Sequence, residues 1–472
     1  MKAININEKV IVGTKAKLKV RNWFNSYYWK EITRYCNYFS HNDFKVLEIG
    51  CATGELIGNI KGKNKTGIDI NADALERARK KFPDIAFYEM PAENIEIEEK
   101  FDLIILSNLI GYLEDVQAVL SNLHKVCHEN TKIVITYYNY LWEPVLKVAE
   151  KTGIKSPVPI QNWLSVPDIN NLLYLSGFDV YRSCQQTLMP VKLPLISSFM
   201  NKFMAKLPLF RSLCINNYSF AKPAATKENV SEKYSVSVII PARNESGNIE
   251  NAIKRLPKLG SHTEIIFIEG NSTDDTWQKI QDVKKKYETT HDIKIGQQKG
   301  KGKNDAVKAG FDMARGDILM ILDADLTVPP EDLPKFYEAI AGGKGDFING
   351  SRLVYQMEKE AMRFLNLLGN KFFSMAFTWL LEQRFKDTLC GTKVIFRKDY
   401  FRLVENREYF GNFDPFGDFD LIFGAHKLNL KIVEIPIRYR ERTYGTTNIS
   451  RFKHGLILLK MCVFAARKIK FV

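Results

Sequence analysis

The sequence has few cysteines, no long uncharged apolar run and comparatively little acidic charge. Its seven cysteines are scattered, and no two of them are spaced as a Cys-x-x-Cys pair. Neither a zinc site nor a disulfide framework is therefore indicated, and a reducing cytosol is expected. The first residues lack the apolar segment of a signal peptide. No run reaches the roughly 18 uncharged apolar residues of a membrane-spanning helix, so the sequence predicts a cytoplasmic protein.

Basic residues are in excess. Lysine and arginine number 68 against 54 aspartates and glutamates, which gives a formal net charge of +14. Such an excess favours anionic partners, namely nucleotides, phospholipid surfaces or nucleic acid. The length of 472 residues predicts two or three domains.

The first half of the chain opens with a strand, a glycine-rich turn and a helix. The strand contains Glu48, and the turn contains Gly50 and Gly54. A second strand ends at Asp69, where a carboxylate can accept the hydroxyl groups of a ribose. Strands and helices then alternate, which implies a doubly wound parallel sheet of the α/β class. A glycine turn at the start of a helix is a nucleotide-binding arrangement.

In the second half, two carboxylates directly follow a buried strand. Ile318–Leu322 is a run of five apolar residues, and Asp323 and Asp325 come next. The C-terminal ends of strands are where α/β sheets bind ligands. Carboxylates suit Mg²⁺ or Mn²⁺, which bridge them to substrate phosphates. We therefore expect a metal and diphosphate site here, with a solvated acidic turn as the alternative.

The first half resembles the class I S-adenosylmethionine-dependent methyltransferases. The resemblance rests on Val46–Gly54, Asp69, Ala92–Glu93 and Phe101–Asn108, in that order. It implies a Rossmann-like domain whose glycine loop holds the methionine part of the cofactor and whose acid after the second strand holds the ribose. The residues that it assigns to S-adenosylmethionine are Glu48, Gly50, Gly54, Asp69, Glu93 and Asn108.

The second half resembles the family 2 glycosyltransferases with the GT-A fold, and among them the dolichyl-phosphate mannosyl- and glucosyltransferases. Five motifs occur in order, Pro241–Glu245, Glu269–Asp274, Asp323–Asp325, Gly350–Arg352 and Asp387–Lys393. The resemblance implies a nucleotide-sugar donor and a lipid-linked or glycan acceptor. The donor is assigned to Pro241, Asn244, Glu245, Glu269, Lys303 and Asp323, and the metal to Asp323 and Asp325.

Three arginines and two acids complete the predicted sugar-transfer site. Arg352, Arg363 and Arg442 would hold an acceptor phosphate through charge-assisted hydrogen bonds. Asp418 and Asp420 would act as general base if the acceptor were a hydroxyl group. A polyprenyl phosphate is already an anion and needs no base.

Several apolar segments bear on membrane contact. Helical segments at 361–382 and 454–468 have wide apolar faces, and the second adds a basic stripe of Lys453, Lys460 and Arg467. This pattern favours helices at a membrane surface, with packing into the domain as the alternative. For residues 189–210 we expect a hydrophobic hairpin over the sheet, with a membrane-touching flap as the alternative. We predict peripheral contact with an anionic membrane at its cytoplasmic face.

We divide the chain into a methyltransferase domain at 1–223, a polar linker at 224–234 and a glycosyltransferase domain at 235–472. The favoured function is that of a bifunctional transferase. The alternatives are a glycosyltransferase with a degenerate scaffolding first domain, and a non-catalytic membrane tether. RNA methylation is a third hypothesis, but no RNA-binding module accompanies the basic charge, and no nucleic-acid partner is expected.

Overall fold

The computed structural model describes residues 15–152, 162–225, 230–352, 364–405, 418–437, 444 and 459–471, with the backbone alone at 15–25, 364–371 and 418. The chain forms two compact units, Met1–Pro223 and Ala224–Val472.

The N-terminal unit contains a seven-stranded sheet. The strands are β1 Lys45–Ile49, β2 Asn64–Asp69, β3 Ala86–Glu89, β4 Phe101–Ser107, β5 Cys127–Tyr138, β6 Phe178–Gln186 and β7 Asn216–Pro223. The helices are α1 Lys15–Phe39, α2 Glu55–Asn59, α3 Ala72–Lys81, α4 Val116–Asn122, α5 Glu143–Lys151, α6 Val166–Leu175, α7 Ile196–Lys202 and α8 Pro208–Arg211. Short 3₁₀ turns occupy Ile110–Tyr112, Leu123–Val126, Tyr140–Trp142 and Met204–Lys206.

The strand order in this sheet is β3-β2-β1-β4-β5-β7-β6, and β7 alone runs antiparallel to its neighbours. The chain leaves β1 for β2 and β3 on one side and returns to β4 on the other. The order reverses between β1 and β4, which is the crevice where doubly wound sheets bind ligands. Two apolar clusters cover the two faces of the sheet. The predicted α/β class is confirmed for this half.

A side-chain cap fixes the start of α4. The Asp115 carboxylate accepts the Ala118 N–H at 2.9 Å, so the helix begins at Val116.

The C-terminal unit also contains seven strands. They are β8 Val236–Ala242, β9 Thr263–Glu269, β10 Asp292–Gln297, β11 Ile318–Ile321, β12 Phe347–Ser351, β13 Lys393–Phe396 and β14 Ile432–Pro436. The helices are α9 Ser246–Arg255, α10 Thr276–Tyr287, α11 Lys303–Met313, α12 Leu333–Ala341, α13 Phe364–Leu381, α14 Arg397–Glu405 and α15 Asp418–Lys427. A 3₁₀ turn lies at Pro330–Asp332, and helical residues 459–465 continue as a π-helical turn, Ala466–Lys470.

The second sheet has the order β10-β9-β8-β11-β13-β12-β14, and β13 runs antiparallel to both neighbours. Here the order reverses between β8 and β11. Because β13 is antiparallel, its first residues lie at the edge where β11 and β12 end. Residues before β13 are thereby brought to the carboxyl ends of β8, β11 and β12. The α/β class with a second doubly wound sheet is confirmed.

The helices expected at a membrane surface contribute to the core of this unit. Phe377 of α13 is fully buried and belongs to one apolar cluster with Met461 and Ala465. Glu382 and Lys470 form a buried ion pair with an Oε1–Nζ distance of 2.6 Å. Other side chains of these helices remain exposed, namely Phe372, Met375, Leu459, Lys460, Val463 and Arg467. Their contact with a membrane stays a prediction, and Lys453 lies outside the described residues. Within the described part of the chain, no helix combines the length and the apolar character needed to span a membrane.

Candidate active sites

The turn after β1 has an unusual backbone. Gly50 and Gly54 both have φ of 74°, and Ala52 between them has φ of 45°, in the left-handed region. A residue with a Cβ atom is strained there by about 1–2 kcal/mol. The turn is held by Asp69, whose Oδ2 accepts the Ala52 N–H at 2.7 Å and whose Oδ1 accepts the Asn71 N–H at 2.9 Å. Asp69 thus ties the turn to the end of β2.

Glu48 lies inside the unit. Glu48 is only 2% exposed, and its Oε2 accepts the Ile57 N–H at 2.9 Å. Burial raises the pKa of this carboxyl to about 8, although the Ile57 N–H acts in the opposite direction. Glu48 therefore fixes the first turn of α2 relative to β1.

Asn108, directly after β4, carries an unmatched acceptor. Its φ is 52°, its Nδ2 donates to the Tyr28 hydroxyl at 2.8 Å, and Tyr28 in turn donates to Asn216 at 2.7 Å. The Asn108 Oδ1 is buried and has no hydrogen-bond partner. A buried acceptor without a partner costs free energy that a bound donor would recover. The pocket at this position is lined by Asn108, Ile110, Gly111, Tyr112, Tyr137, Tyr138, Asn162 and Leu164.

Five of the six residues predicted to bind S-adenosylmethionine follow strands at the carboxyl edge of the sheet. Gly50 and Gly54 follow β1, Asp69 ends β2, Asn108 follows β4, and Glu93 follows β3. Glu93 is exposed, and its backbone oxygen accepts a hydrogen bond from Asn122. The left-handed turn and the orphaned Asn108 oxygen fit a polar cofactor in the β1–β4 crevice.

The paired carboxylates of the second unit follow β11. Asp325 Oδ1 accepts the backbone N–H of Thr327 at 3.1 Å and its hydroxyl at 2.8 Å. Leu326 has φ of 52°, and its N–H donates to the Asp323 carbonyl at 3.1 Å. These bonds form a tight turn. Thr327, which the sequence analysis did not assign to the site, orients the second aspartate.

Asp323 is paired with a lysine. The Lys303 Nζ, at the start of α11, lies 2.5 Å from Asp323 Oδ1. Burial would raise the pKa of Asp323, but the Lys303 ammonium, together with Lys393 and Arg352, holds that pKa below its usual value. The backbone of Gly391 lies against both groups, so closely that a Cβ atom there would collide with Asp323 and with Lys303. The antiparallel β13 positions Gly391 at this point.

Arg352, after β12, is held by Asp387. Its Nε and Nη2 each donate to the carboxylate at 2.8 Å, and its backbone N–H donates at 2.9 Å. Asp387 is fully buried, and burial would raise its pKa, but Arg352 keeps that pKa below its usual value. Glu434 of β14 accepts the Asp387 and Lys386 N–H groups at 2.9 and 2.8 Å. Arg352 is thus a fixed cation at the carboxyl edge.

Four of the residues predicted to bind the donor, Pro241, Asn244, Glu245 and Glu269, lie at the ends of β8 and β9. Asn244 has φ of 55° and accepts the Thr273 N–H at 2.8 Å. Glu245 is buried, and its carboxylate accepts from Asn248 at 2.8 Å. Glu269 is buried and accepts the Ser272 N–H at 2.5 Å and the Gln297 amide at 3.1 Å. Pro241 is the second-last residue of β8. These bonds tie two strand ends together beside β11.

The remaining predicted residues are only partly described. Asp420 of α15 is buried, and its Oδ2 lies 3.8 Å from Lys308 Nζ. Asp418 is described as backbone alone, at the start of α15. Arg363 and Arg442 lie outside the described residues.

The metal fit rests on Asp323 and Asp325. Among the residues whose side chains are described, no group of three His, Cys, Asp or Glu side chains could hold a metal ion. Mg²⁺ is commonly bound by one or two carboxylates together with substrate phosphates and water. Two aspartates on one turn suit that mode, in which the nucleotide would supply the other ligands.

Comparison with known proteins agrees with this geometry. A family model described as "Methyltransferase domain" matches residues 40–173, and one described as "Glycosyl transferase family 2" matches residues 237–404. The chain contains a methyltransferase domain and a family 2 glycosyltransferase domain. Both predicted resemblances are therefore confirmed.

Two named sugar transferases are similar in sequence to part of this chain. The dolichol-phosphate mannosyltransferase of Pyrococcus furiosus is 40% identical over 138 residues, which are 29% of this chain and 38% of that protein. The undecaprenyl-phosphate 4-deoxy-4-formamido-L-arabinose transferase of Klebsiella pneumoniae is 27% identical over 222 residues, 46% of this chain and 62% of that protein. The chain thus spans less than two thirds of the length of either relative.

One solved structure that is similar to this chain is an S-adenosylmethionine-dependent methyltransferase from Thermotoga maritima. The two are 15% identical, and the match covers 44% of this chain and 92% of the Thermotoga maritima chain, with a TM-score of 0.33.

Sequence reasoning missed several residues of both domains. In the glycosyltransferase domain these are Gly391 and Glu434, and in the methyltransferase domain Tyr28, which holds Asn108. Gly391 lies within the motif Asp387–Lys393, so the sequence could have identified it. Tyr28 precedes Asn108 by 80 residues, and no local sequence pattern predicts a contact over that separation.

Proposed function

We propose that the chain is a bifunctional transferase, with its two domains joined by the linker at 224–234. The glycosyltransferase domain moves a sugar from a nucleotide-sugar donor to a lipid phosphate. The methyltransferase domain moves a methyl group from S-adenosylmethionine to an acceptor, which we propose to be a sugar. The observation that carries the first activity is the turn of Asp323 and Asp325 beside Lys303 at the reversal point of the sheet.

The donor diphosphate belongs at this turn. Mg²⁺ or Mn²⁺ held by Asp325 and Asp323 would neutralise the leaving diphosphate when bound. Lys303 stands at the start of α11, where the helix dipole also favours negative charge. Asn244, Glu245 and Glu269 form the wall on which the nucleoside would lie.

A lipid phosphate is the acceptor we favour. The names of the two relatives specify dolichol phosphate and undecaprenyl phosphate. A phosphate acceptor needs cations rather than a base, and Arg352 offers a preorganised guanidinium. Arg363 and Arg442 are proposed to join it. If the acceptor were instead a hydroxyl group, Asp420 or Asp418 would take its proton and the anomeric configuration would invert.

The methyl acceptor would enter the pocket beside Asn108. Its lining contains amide and phenol groups and no carboxylate, imidazole or ammonium. Burial raises the pKa of Tyr112, so this phenol stays neutral near pH 7. Neutral hydrogen-bonding groups beside aromatic rings suit a sugar, whose hydroxyl proton would leave to solvent because the lining holds no base. The alternative is a degenerate methyltransferase domain kept as scaffold, and a non-catalytic membrane tether is a second alternative.

Nucleotide release tests the sugar transfer. The full chain is incubated with a panel of nucleotide sugars and Mn²⁺, with a polyprenyl phosphate or a sugar as acceptor. We expect release that depends on the lipid phosphate and is lost in Asp325→Asn and in EDTA. Asp317→Asn, at the opposite end of β11, is the matched control and should retain activity. Full turnover of Asp325→Asn would contradict the metal-dependent mechanism, and no turnover of the wild type with any donor would favour the tether.

Calorimetric titration tests the cofactor. We expect the full chain to bind S-adenosylmethionine. Asp69→Asn should raise the dissociation constant at least tenfold, because the asparagine side chain can keep only one of the two hydrogen bonds that the Asp69 carboxylate accepts from backbone N–H groups. Absence of heat and of a thermal shift at millimolar ligand would favour the scaffold alternative.

A further inference from the structure

The segment between β6 and β7 buries polar side chains and exposes apolar ones. In α7, Ser197 and Asn201 are 2% and 4% exposed, whereas Ile196 and Phe199 are each 54% exposed. A surface helix of a globular protein shows the opposite arrangement, with its apolar stripe toward the core. The outer face of α7 is therefore suited to an apolar surrounding.

Hydrogen bonds hold this inverted arrangement in place. The Asn201 side chain accepts the Met189 N–H at 2.8 Å and donates to the Met189 carbonyl at 2.8 Å. The Ser197 hydroxyl accepts the Leu193 N–H at 2.7 Å. A rotation of α7 that hid Phe199 would break these bonds and leave buried polar groups unsatisfied.

The apolar side chains continue beyond α7. We define the hairpin surface as the eight exposed residues Leu193, Leu195, Ile196, Phe199, Phe203, Leu207, Leu209 and Leu213. Its last residues contact the start of α5, since Trp142 Nε1 donates to the Leu213 carbonyl at 2.8 Å. There Leu141, Val145 and Val148 are also exposed, at helical spacing. Contiguous exposed apolar patches of this kind mark interaction sites.

The segment that forms the hairpin surface carries charges of one sign. Between Asp179 and Glu228 the sequence contains no acidic residue. Lys192 and Lys202 are exposed beside the apolar side chains. Apolar residues interleaved with lysines, without acids, match the boundary between the acyl chains and headgroups of anionic lipids.

We propose that the hairpin surface inserts into the interfacial region of a membrane that contains anionic lipids. The proposal goes beyond the transfer activities, because it assigns the membrane contact to the methyltransferase domain and does not depend on the sugar acceptor. It also replaces the expectation of a hairpin packed over the sheet for residues 189–210. Each exposed lysine contributes about fivefold in partitioning at an anionic surface.

A fluorescent label tests the insertion directly. All seven native cysteines are buried, so Phe199→Cys can be labelled selectively with a polarity-sensitive dye. Tyr174→Cys is the matched control. Tyr174 is 74% exposed on α6, which precedes β6, whereas the hairpin surface follows the nine residues of β6. The two sites are therefore separated by roughly 30 Å of strand.

Flotation with two vesicle compositions supplies the second measurement. Vesicles of phosphatidylcholine alone and with a quarter of phosphatidylglycerol are compared at low and high salt. We expect the full chain to bind the anionic vesicles in a salt-sensitive manner, with a blue shift of the dye at 199 and none at 174. The double variant Phe199→Ser/Leu209→Ser should bind at least tenfold more weakly, whereas Tyr174→Ser/Leu175→Ser should bind as the wild type.

Three results would overturn the proposal. Vesicle binding unchanged in Phe199→Ser/Leu209→Ser would assign the contact to the helices of the glycosyltransferase domain. A blue shift of the dye at 199 without vesicles, together with a dimer in light scattering, would make a second copy of the chain the occupant. No binding of the wild type to anionic vesicles would exclude a lipid surface altogether.

Discussion

Substitution of Glu48 by glutamine should stabilise the methyltransferase domain, and only above a certain pH. The carboxyl is buried, and its pKa is raised from 4.5 to about 8. The folded state therefore binds a proton more tightly than the unfolded state. The stability contributed by this group is fully present below pH 4.5 and is lost as the pH rises toward 8.

The magnitude follows from the two pKa values of Glu48. A shift of 3.5 units, from 4.5 to 8, corresponds to about 5 kcal/mol above pH 8 and about 3 kcal/mol at pH 7. Glutamine has no proton to lose, and its amide oxygen can still accept the Ile57 N–H. The amide NH₂ adds one buried donor, which lowers the gain equally at every pH. The pH dependence of the gain is therefore the diagnostic quantity.

Calorimetry of the full chain between pH 4.5 and 8.5 measures this effect. For a unit of this size, a gain of about 3 kcal/mol raises the melting temperature by roughly 6–12 °C. At pH 4.5 the gain should be absent. The wild type and Glu48→Gln should then melt within about 2 °C of each other, once the pH-independent effect of the added amide donor is subtracted. Glu264→Gln is the matched control, since Glu264 is equally buried but paired with Lys294, and it should be destabilised. A gain of Glu48→Gln that is the same at every pH would refute the raised pKa.

Three further substitutions test contacts within the C-terminal unit. Gly391→Ala should reduce sugar transfer at least tenfold with little change in melting temperature, measured by nucleotide release, because its Cβ would displace Asp323. Thr327→Val should weaken Mn²⁺-dependent turnover by roughly tenfold, with a raised requirement for Mn²⁺, since one hydrogen bond to the carboxylate is worth about 1.5 kcal/mol. Lys470→Met should destabilise the C-terminal unit by about 3–5 kcal/mol in denaturant unfolding, because Glu382 keeps a buried charge, and the double change with Glu382→Leu should recover most of the loss.

Features that depend on neighbouring residues were predictable from the sequence. The apolar run before Asp323 identified a buried strand, and the carboxyl end of such a strand is a ligand site in either sheet. The same reasoning led from the glycine turn to Asp69. Each of these inferences uses a period or a turn signal that spans fewer than about 20 residues.

Features that depend on distant contacts were not predictable. Asp387 holds Arg352 only because β13 enters the sheet antiparallel between β11 and β12, and no local pattern specifies that order. The burial of α13 could not be separated from membrane contact, because an apolar face meets a core and a bilayer equally well. In α7 the alternation of serine, asparagine and apolar residues did not show which side would be covered.

The buried pair of Glu382 and Lys470 has a consequence for synthesis. Lys470 is 88 positions further along the chain than Glu382, so a ribosome adding 5–20 residues per second makes it roughly 4–18 s later. Until Lys470 is available, a charged Glu382 is stable only where water reaches it, so we expect the end of α13 and the apolar cluster around Phe377 to stay open during that time. The C-terminal domain therefore completes its core only after Lys470 has been made, and chaperones have that interval in which to bind it.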